Sequence, residues 1–292
     1  MTGPASPSAA AAPDLRQHLL SELREADIDR YLALLLMPGE VQGDIAALML
    51  FNAEIAAIRD RIREPLPGEV RLQWWRDVLS GDRGGEAEAH PVASALLEVV
   101  NRRQMPVAPL IAMCEARIFD LYDDPMPDRV SYEGYAGETE STILQMSAFL
   151  MDPAASTNTA TASGHAGVAQ AVAGHLMLLP VSRARGQVFV PGDLLAATGL
   201  DRDSFLAGDN RPAISSAVRA FAEFGREHLD KARLALKDVP SPVLPAYLPV
   251  AMVDPVLSRA GKSGAGCLEI PVQLPQWRRQ WQLWRAARRG RF

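Results

Sequence analysis

The stretch FNAEIAAIRD, residues 51–60, sets two carboxylates, Glu54 and Asp60, in an otherwise apolar segment. Buried carboxylates can hold a divalent metal against a phosphate or act as acid and base. To share one ion from one helical face, they must stand three or four residues apart. Glu54 and Asp60 are six apart, about 240° around a helix, so they cannot grip one ion together. On a helix over about 44–63, Phe51, Ile55, Ile58 and Ile62 form the apolar stripe. Glu54 falls on the adjoining line with Ala47, Leu50, Ala57 and Arg61, near the core. A half-buried carboxylate needs a partner, and an Arg or a Trp N–H from another helix can serve. Glu54 is thus either a ligand or acid at a site, or one member of a structural ion pair. The second is the expectation, since structural pairs perturb carboxylates as readily as catalysis does.

DLYDD places Asp120 and Asp124 at i and i+4, the spacing of a metal pair. Asp123 and Asp124 run into Pro125, so a solvated helix end is expected there. The five histidines, His18, His90, His165, His175 and His228, show no ligand spacing beside a cysteine or acid, and no zinc site is expected. No phosphate-binding glycine loop or nucleophile elbow occurs in the context it needs. In EPLPGEVRLQWWRDVL, Arg71 and Trp75 are one turn apart, as are Leu72 and Arg76. Adjacent Trp74 and Trp75 point about 100° apart, so one can fill the core while the other faces a groove. Arg71 or Arg76 could stack on an indole or pair with Glu54. The block reads as an aromatic–arginine latch between helices or as a partner-binding surface.

These residues sit on a pattern that is helical almost throughout. Helices are expected at 131–151, 165–179, 213–236 and 276–289, with Pro and Gly punctuation between them. GQVFVP (186–191) is the one short candidate for extended chain, and the fold class is all-α. ASTNTATASG (155–164) reads as a loop within the helical domain, and the Pro- and Gly-rich 240–275 as irregular. Residues 1–13 read as a flexible tail, without a positive charge before Arg16 or the apolar core of a signal peptide. No run reaches the ~18 apolar residues of a membrane span. Cys114 and Cys267 read as free thiols in a reducing cytosol.

The net charge of −5 conceals an asymmetry. QWRRQWQLWRAARRGRF, residues 276–292, holds six arginines and no acid, leaving 24 basic against 35 acidic residues elsewhere. Trp277, Trp281 and Trp284 form one stripe, and Arg278, Arg279, Arg285 and Arg288 lie largely off it. Such a helix either lies on an anionic lipid surface or docks its indoles on the protein. Nucleic acid is not an expected partner, because the body is acidic and no binding module is visible.

Three segments resemble the squalene/phytoene synthase family: YLALLLMPGEVQGDIAALMLFNAEIAAIRD, ARIFDLYDDPMPDRVSYEGYAGETESTIL and GHAGVAQAVAGHLMLLPVSRARGQVFVPGDLL. The resemblance spans about residues 29–235 and implies an isoprenoid-synthase-type helical bundle around a central apolar cavity, in a domain over 14–239. Active members bind prenyl diphosphates through Mg²⁺ held by Asp clusters on two facing helices. The resemblance places the first cluster on Ala56, Ala57 and Asp60, preceded by Ala53. It places the second on Leu178, Val181 and Ser182, preceded by Ala171 and Gly174. Five of the six metal-binding acids are therefore missing. RLQWWRD and HPVASAL (90–96) resemble in particular the branch containing the mitochondrial respiratory complex I assembly factor and its bacterial relatives.

The resemblance thus implies a non-catalytic protein without a cofactor, acting in complex I assembly in the cytoplasm and peripherally on the inner membrane. Its cavity could keep an isoprenoid lipid. Partner or ligand binding would fall to Glu54, Arg71, Trp74, Trp75 and Arg76, and membrane contact to Trp277, Trp281, Trp284, Arg278 and Arg285. The alternative is a divergent Mg²⁺-dependent head-to-head prenyltransferase using Glu54, Asp60, Asp120 or Glu138.

Overall fold

A computed structural model describes residues 11–290, with side chains from Leu15 onward. Of the tail expected over 1–13, residues 1–10 lie outside the described part, and helix α1 (Ala11–Ala26) already begins within the rest.

Local chemistry sets most helix starts. Asp27 caps α2 (Ile28–Leu34) by accepting from the amides of Asp29 and Arg30. Helix α3 (Gln42–Ala56) is apolar on nearly every side and buried to match. It ends seven residues before the expected 63, and Asp60 sits in a separate 3₁₀ turn, Arg59–Arg61. Pro65 opens α4 (Pro65–Ser80), and Gly81 closes it in the left-handed region at φ 89°. After the short α5 (Gly84–Ala89), His90 caps α6 (Pro91–Arg103) through Nδ1. Arg102 and Arg103 from α6 both bind the buried Asp44 of α3, at 2.6 and 2.7 Å, which ties the two helices together.

Helix α7 (Ala108–Ala116) runs into a 3₁₀ turn, Arg117–Leu121. Helices α8 (Arg129–Ala136) and α9 (Thr142–Met151) form the expected 131–151 element, joined by a π-helical turn, Gly137–Ser141. The presumed loop 155–164 is mostly helix: α10 (Pro153–Ser156) and the start of α11 (Ala160–Met177) take it in. Half of its small polar side chains leave solvent: Ser156, Thr159 and Ser163 are buried and hydrogen-bonded, while Thr157, Asn158 and Thr161 stay exposed. Gly167 of α11 must be glycine, because a Cβ there would overlap the backbone of Ser141 where the helices cross.

Three short helices follow, α12 (Leu179–Ala184), α13 (Gly192–Ala197) and α14 (Arg202–Ala207), then the long α15 (Arg211–Ala235). GQVFVP forms a loop and not a strand. The segment 240–275 is more ordered than its composition suggests. Pro242, Pro245 and Pro249 lie in a 3₁₀ run, Ser241–Met252, then come α16 (Val253–Ser263) and a second 3₁₀ turn, Gly264–Leu268. Proline suits 3₁₀ turns because few of their amides must donate. Helix α17 (Gln276–Arg289) closes the bundle against α2 and the 3₁₀ run. Cys114 and Cys267 are buried free thiols.

The interior forms two apolar clusters, one centred on α11, α15 and α16, the other on α3, α4 and α6. A cavity lies between them.

Candidate functional site

The cavity encloses about 430 Å³, within the range of small-molecule pockets. Ala53, Ala56 and Ala57 line it from α3 and its final turn, and Ala171 and Gly174 face them from α11. These five small residues were placed together by the resemblance, and the fold brings them to one chamber. Asp60, Leu178 and Ser182 also line it, whereas Val181 does not and is 40% exposed.

A polar network fills one wall. Arg117 is buried and donates through Nη1 to Asp120 Oδ2 at 3.0 Å and to Tyr135 Oη at 2.9 Å. Tyr135 in turn donates to Asp120 Oδ1 at 2.7 Å. The other guanidinium nitrogen reaches Asn52 at 3.4 Å and lies 3.7 Å from Glu140. Glu140 also accepts from Arg30 at 2.7 Å and from Gln170 at 3.3 Å. Burial works against the Arg117 charge, yet Tyr135, Asp120 and Glu140 raise its pKa above the ordinary arginine value. His175 stacks on Phe189 with ring centres 3.9 Å apart and shares a 2.7 Å hydrogen bond with Tyr132. Burial, with the Arg117 charge adding to it, pushes its pKa down to about 3, so it is neutral in this wall.

The Asp120 expectation is therefore corrected. It is no solvated helix end but an anchor of the polar wall, held by Arg117 and Tyr135; Asp123 and Asp124 alone are exposed. Of the other carboxylates weighed for chemistry, Glu138 is exposed and Glu54 does not line the cavity. Arg117, Tyr135 and Glu140 escaped sequence reading because their partners lie far along the chain. The one local signal was Arg117 and Asp120 at i and i+3.

Mg²⁺ of the family's kind needs carboxylate oxygens from two facing helices. Here the corresponding side chains are Ala56, Ala57, Leu178, Val181 and Ser182, and the sixth, Asp60, is bound to Arg185. The other acids that line the cavity, Asp27, Asp29, Asp120 and Glu140, are already held by the guanidinium groups of Arg30, Arg279 and Arg117. This donor set does not fit a diphosphate-binding metal cluster. Among the described residues, no group of three His, Cys, Asp or Glu side chains could hold a metal.

The tryptophan block forms a latch. Trp75 is buried, with its ring centre 5.0 Å from that of Phe51 on α3 and 5.5 Å from that of His90. Trp74 is half-buried and donates from Nε1 to Glu86 at 2.9 Å. Glu54 finds neither Arg71 nor Arg76; its partner is His90, 3.5 Å away. Burial raises the Glu54 pKa, and the His90 and Arg61 charges oppose this. Arg76 bridges to Glu115 on α7 at 2.7 Å, and Arg71 is exposed. In α17 the indoles of Trp277, Trp281 and Trp284 face outward, and Leu283 and Ala286 pack inward. The reading in which the Trp stripe docks on the bundle is thus overturned.

An all-helical bundle closed around one chamber between α3 and α11 defines the isoprenoid-synthase class of fold. The chain belongs to the squalene/phytoene synthase family, whose sequence model matches residues 23–285. It is 28% identical over 255 residues to NADH dehydrogenase (ubiquinone) complex I, assembly factor 6 of Rattus norvegicus, covering 87% of this chain and 76% of that one. Its fold matches the squalene synthase HpnC from Alicyclobacillus acidocaldarius with a TM-score of 0.72 at 14% identity, over 88% of this chain and 97% of the other. It matches a dehydrosqualene synthase crystallised with ligand with a TM-score of 0.74 at 13% identity, over 96% and 97% of the two chains. The protein is a member of this family with degenerate Asp-rich motifs.

Proposed function

We propose that the protein is non-catalytic and serves the assembly of a respiratory NADH:quinone oxidoreductase, working in the cytoplasm at the face of the inner membrane. One observation carries the first half: the chamber offers Ala56, Ala57, Leu178 and Ser182 where diphosphate chemistry needs carboxylates, and its remaining acids are neutralised by arginines. Without oxygens to gather cations, charge on a departing diphosphate goes unstabilised, a loss of several kcal/mol in barrier. Similarity to a complex I assembly factor over 87% of the chain supports the second half. So does the outer face of α4, where Leu66 and Val70, one turn apart, are 69% and 63% exposed beside Arg71. The chamber itself, walled by alanines and glycine, is read as a pocket for an apolar chain such as an isoprenoid lipid.

Deletion of the gene followed by measurement of assembled NADH:quinone oxidoreductase tests the role, and normal levels would overturn it. Purified protein incubated with farnesyl diphosphate and Mg²⁺ should release no diphosphate. Turnover above a blank without protein would make it an enzyme.

A further inference from the structure

Helix α17 carries a face with no partner among the described residues. Trp277, Trp281 and Trp284 are 64%, 50% and 49% exposed, although an indole gains more than most side chains from leaving water. The docking is done by the other side, where Leu283 and Ala286 are buried and Arg279 donates to Asp29 at 2.6 Å. Each exposed indole carries a guanidinium: Arg278 lies 5.1 Å from the Trp277 ring centre, Arg285 5.3 Å from Trp281 and Arg288 4.8 Å from Trp284. No acid occurs anywhere in α17, so the face is uniformly cationic.

We propose that this face docks on an anionic lipid bilayer. Indoles favour the level between headgroups and acyl chains, and arginines beside them reach the phosphates while their stems stay apolar. An anionic headgroup layer also complements a helix of five described arginines. A polynucleotide fits less well. Away from residues 276–292 the chain has 24 basic and 35 acidic residues, which repels an extended polyanion, whereas a planar bilayer meets one helix alone. Asp29, the partner of Arg279, also lines the cavity. Docking therefore sets the cavity wall one ion pair away from the lipid. This inference stands independently of the assembly role.

Full-length protein should float with vesicles of phosphatidylcholine and phosphatidylglycerol, and not with phosphatidylcholine alone. Trp emission should shift to the blue on binding. Replacing Trp277, Trp281 and Trp284 together by Ala should abolish flotation and the shift while leaving the folded circular dichroism spectrum unchanged, since all three are exposed. Arg285→Ala and Arg288→Ala should each weaken binding on the order of fivefold, and added salt should do the same. Point substitutions are needed, because removing α17 would strip Asp29 of its partner and uncover the surface under Leu283. Absence of flotation, equal flotation with neutral vesicles, or undiminished binding by the triple variant would overturn the proposal. So would a gel shift of single-stranded RNA lost in the triple variant, if vesicles were not bound.

Discussion

His90 Nε2 stands 3.5 Å from Glu54 Oε2, and the same imidazole packs against both Trp74 and Trp75. One residue thus caps α6, satisfies the half-buried carboxylate of α3 and fills the seam with α4. Trp75→Ala should cost about 3–5 kcal/mol, the range for truncating a buried aromatic. Trp74→Ala should cost only about 1 kcal/mol, since it loses partial burial and one hydrogen bond to Glu86. Urea denaturation of the two variants separates these outcomes.

Arg117 and Asp120 are coupled in the cavity wall, and the pair should respond as a unit. Asp120→Leu leaves a buried guanidinium with only distant Glu140 as counter-charge and should destabilise on the order of 3 kcal/mol. The double substitution Arg117→Leu with Asp120→Leu should cost less than the two single changes summed. A double-mutant cycle in urea measures the difference.

His175 gives stability a pH dependence. Its pKa falls to about 3 in the folded chain, against about 6.5 when unfolded. Between those values the unfolded chain binds a proton that the folded chain refuses, so stability drops as pH falls, by up to about 1.4 kcal/mol per unit. His228 and His165, also lowered chiefly by burial, act in the same direction. Glu54, raised by burial, acts oppositely, adding stability as pH falls toward its ordinary value. His175→Gln should flatten the profile of unfolding midpoint against pH between about 3 and about 6.5, the folded and unfolded values.

Gly174 lines the cavity, and a Cβ added there would meet no heavy atom within 4 Å. Gly174→Leu should therefore fold normally, with a gain of up to about 1 kcal/mol from helix propensity. It should also take up part of the space open to an apolar chain. Native mass spectrometry after exposure to farnesol or a short-chain quinone should show a mass shift for the unaltered protein and a weaker one for the variant.

The helical class was legible in the periodicity of the sequence, a local property. The alanine-lined chamber and the missing carboxylates were legible only through the resemblance to the family, whose motif positions fall on Ala56, Ala57, Leu178, Val181 and Ser182. The polar wall was not. Arg30 and Glu140 are 110 residues apart, and nothing in either segment announces the other. Helix ends were also obscured. Between Ala56 and Pro65 no Gly or Pro marks where α3 stops, so Asp60 was read on a helix it does not occupy. In 155–164, Ser and Thr imitate a solvated linker, yet the hydroxyls of Ser156 and Thr159 bond back to nearby carbonyls and allow burial.

The π turn at Gly137–Ser141 inserts one residue into what would otherwise be a single helix over 129–151. Side chains after it are therefore rotated by about 100° relative to those before it. A helical wheel drawn with one phase through the whole element would misassign one half. Removing one residue from the turn would restore a continuous α-helix and swing every side chain of α9 by about 100° against its present neighbours.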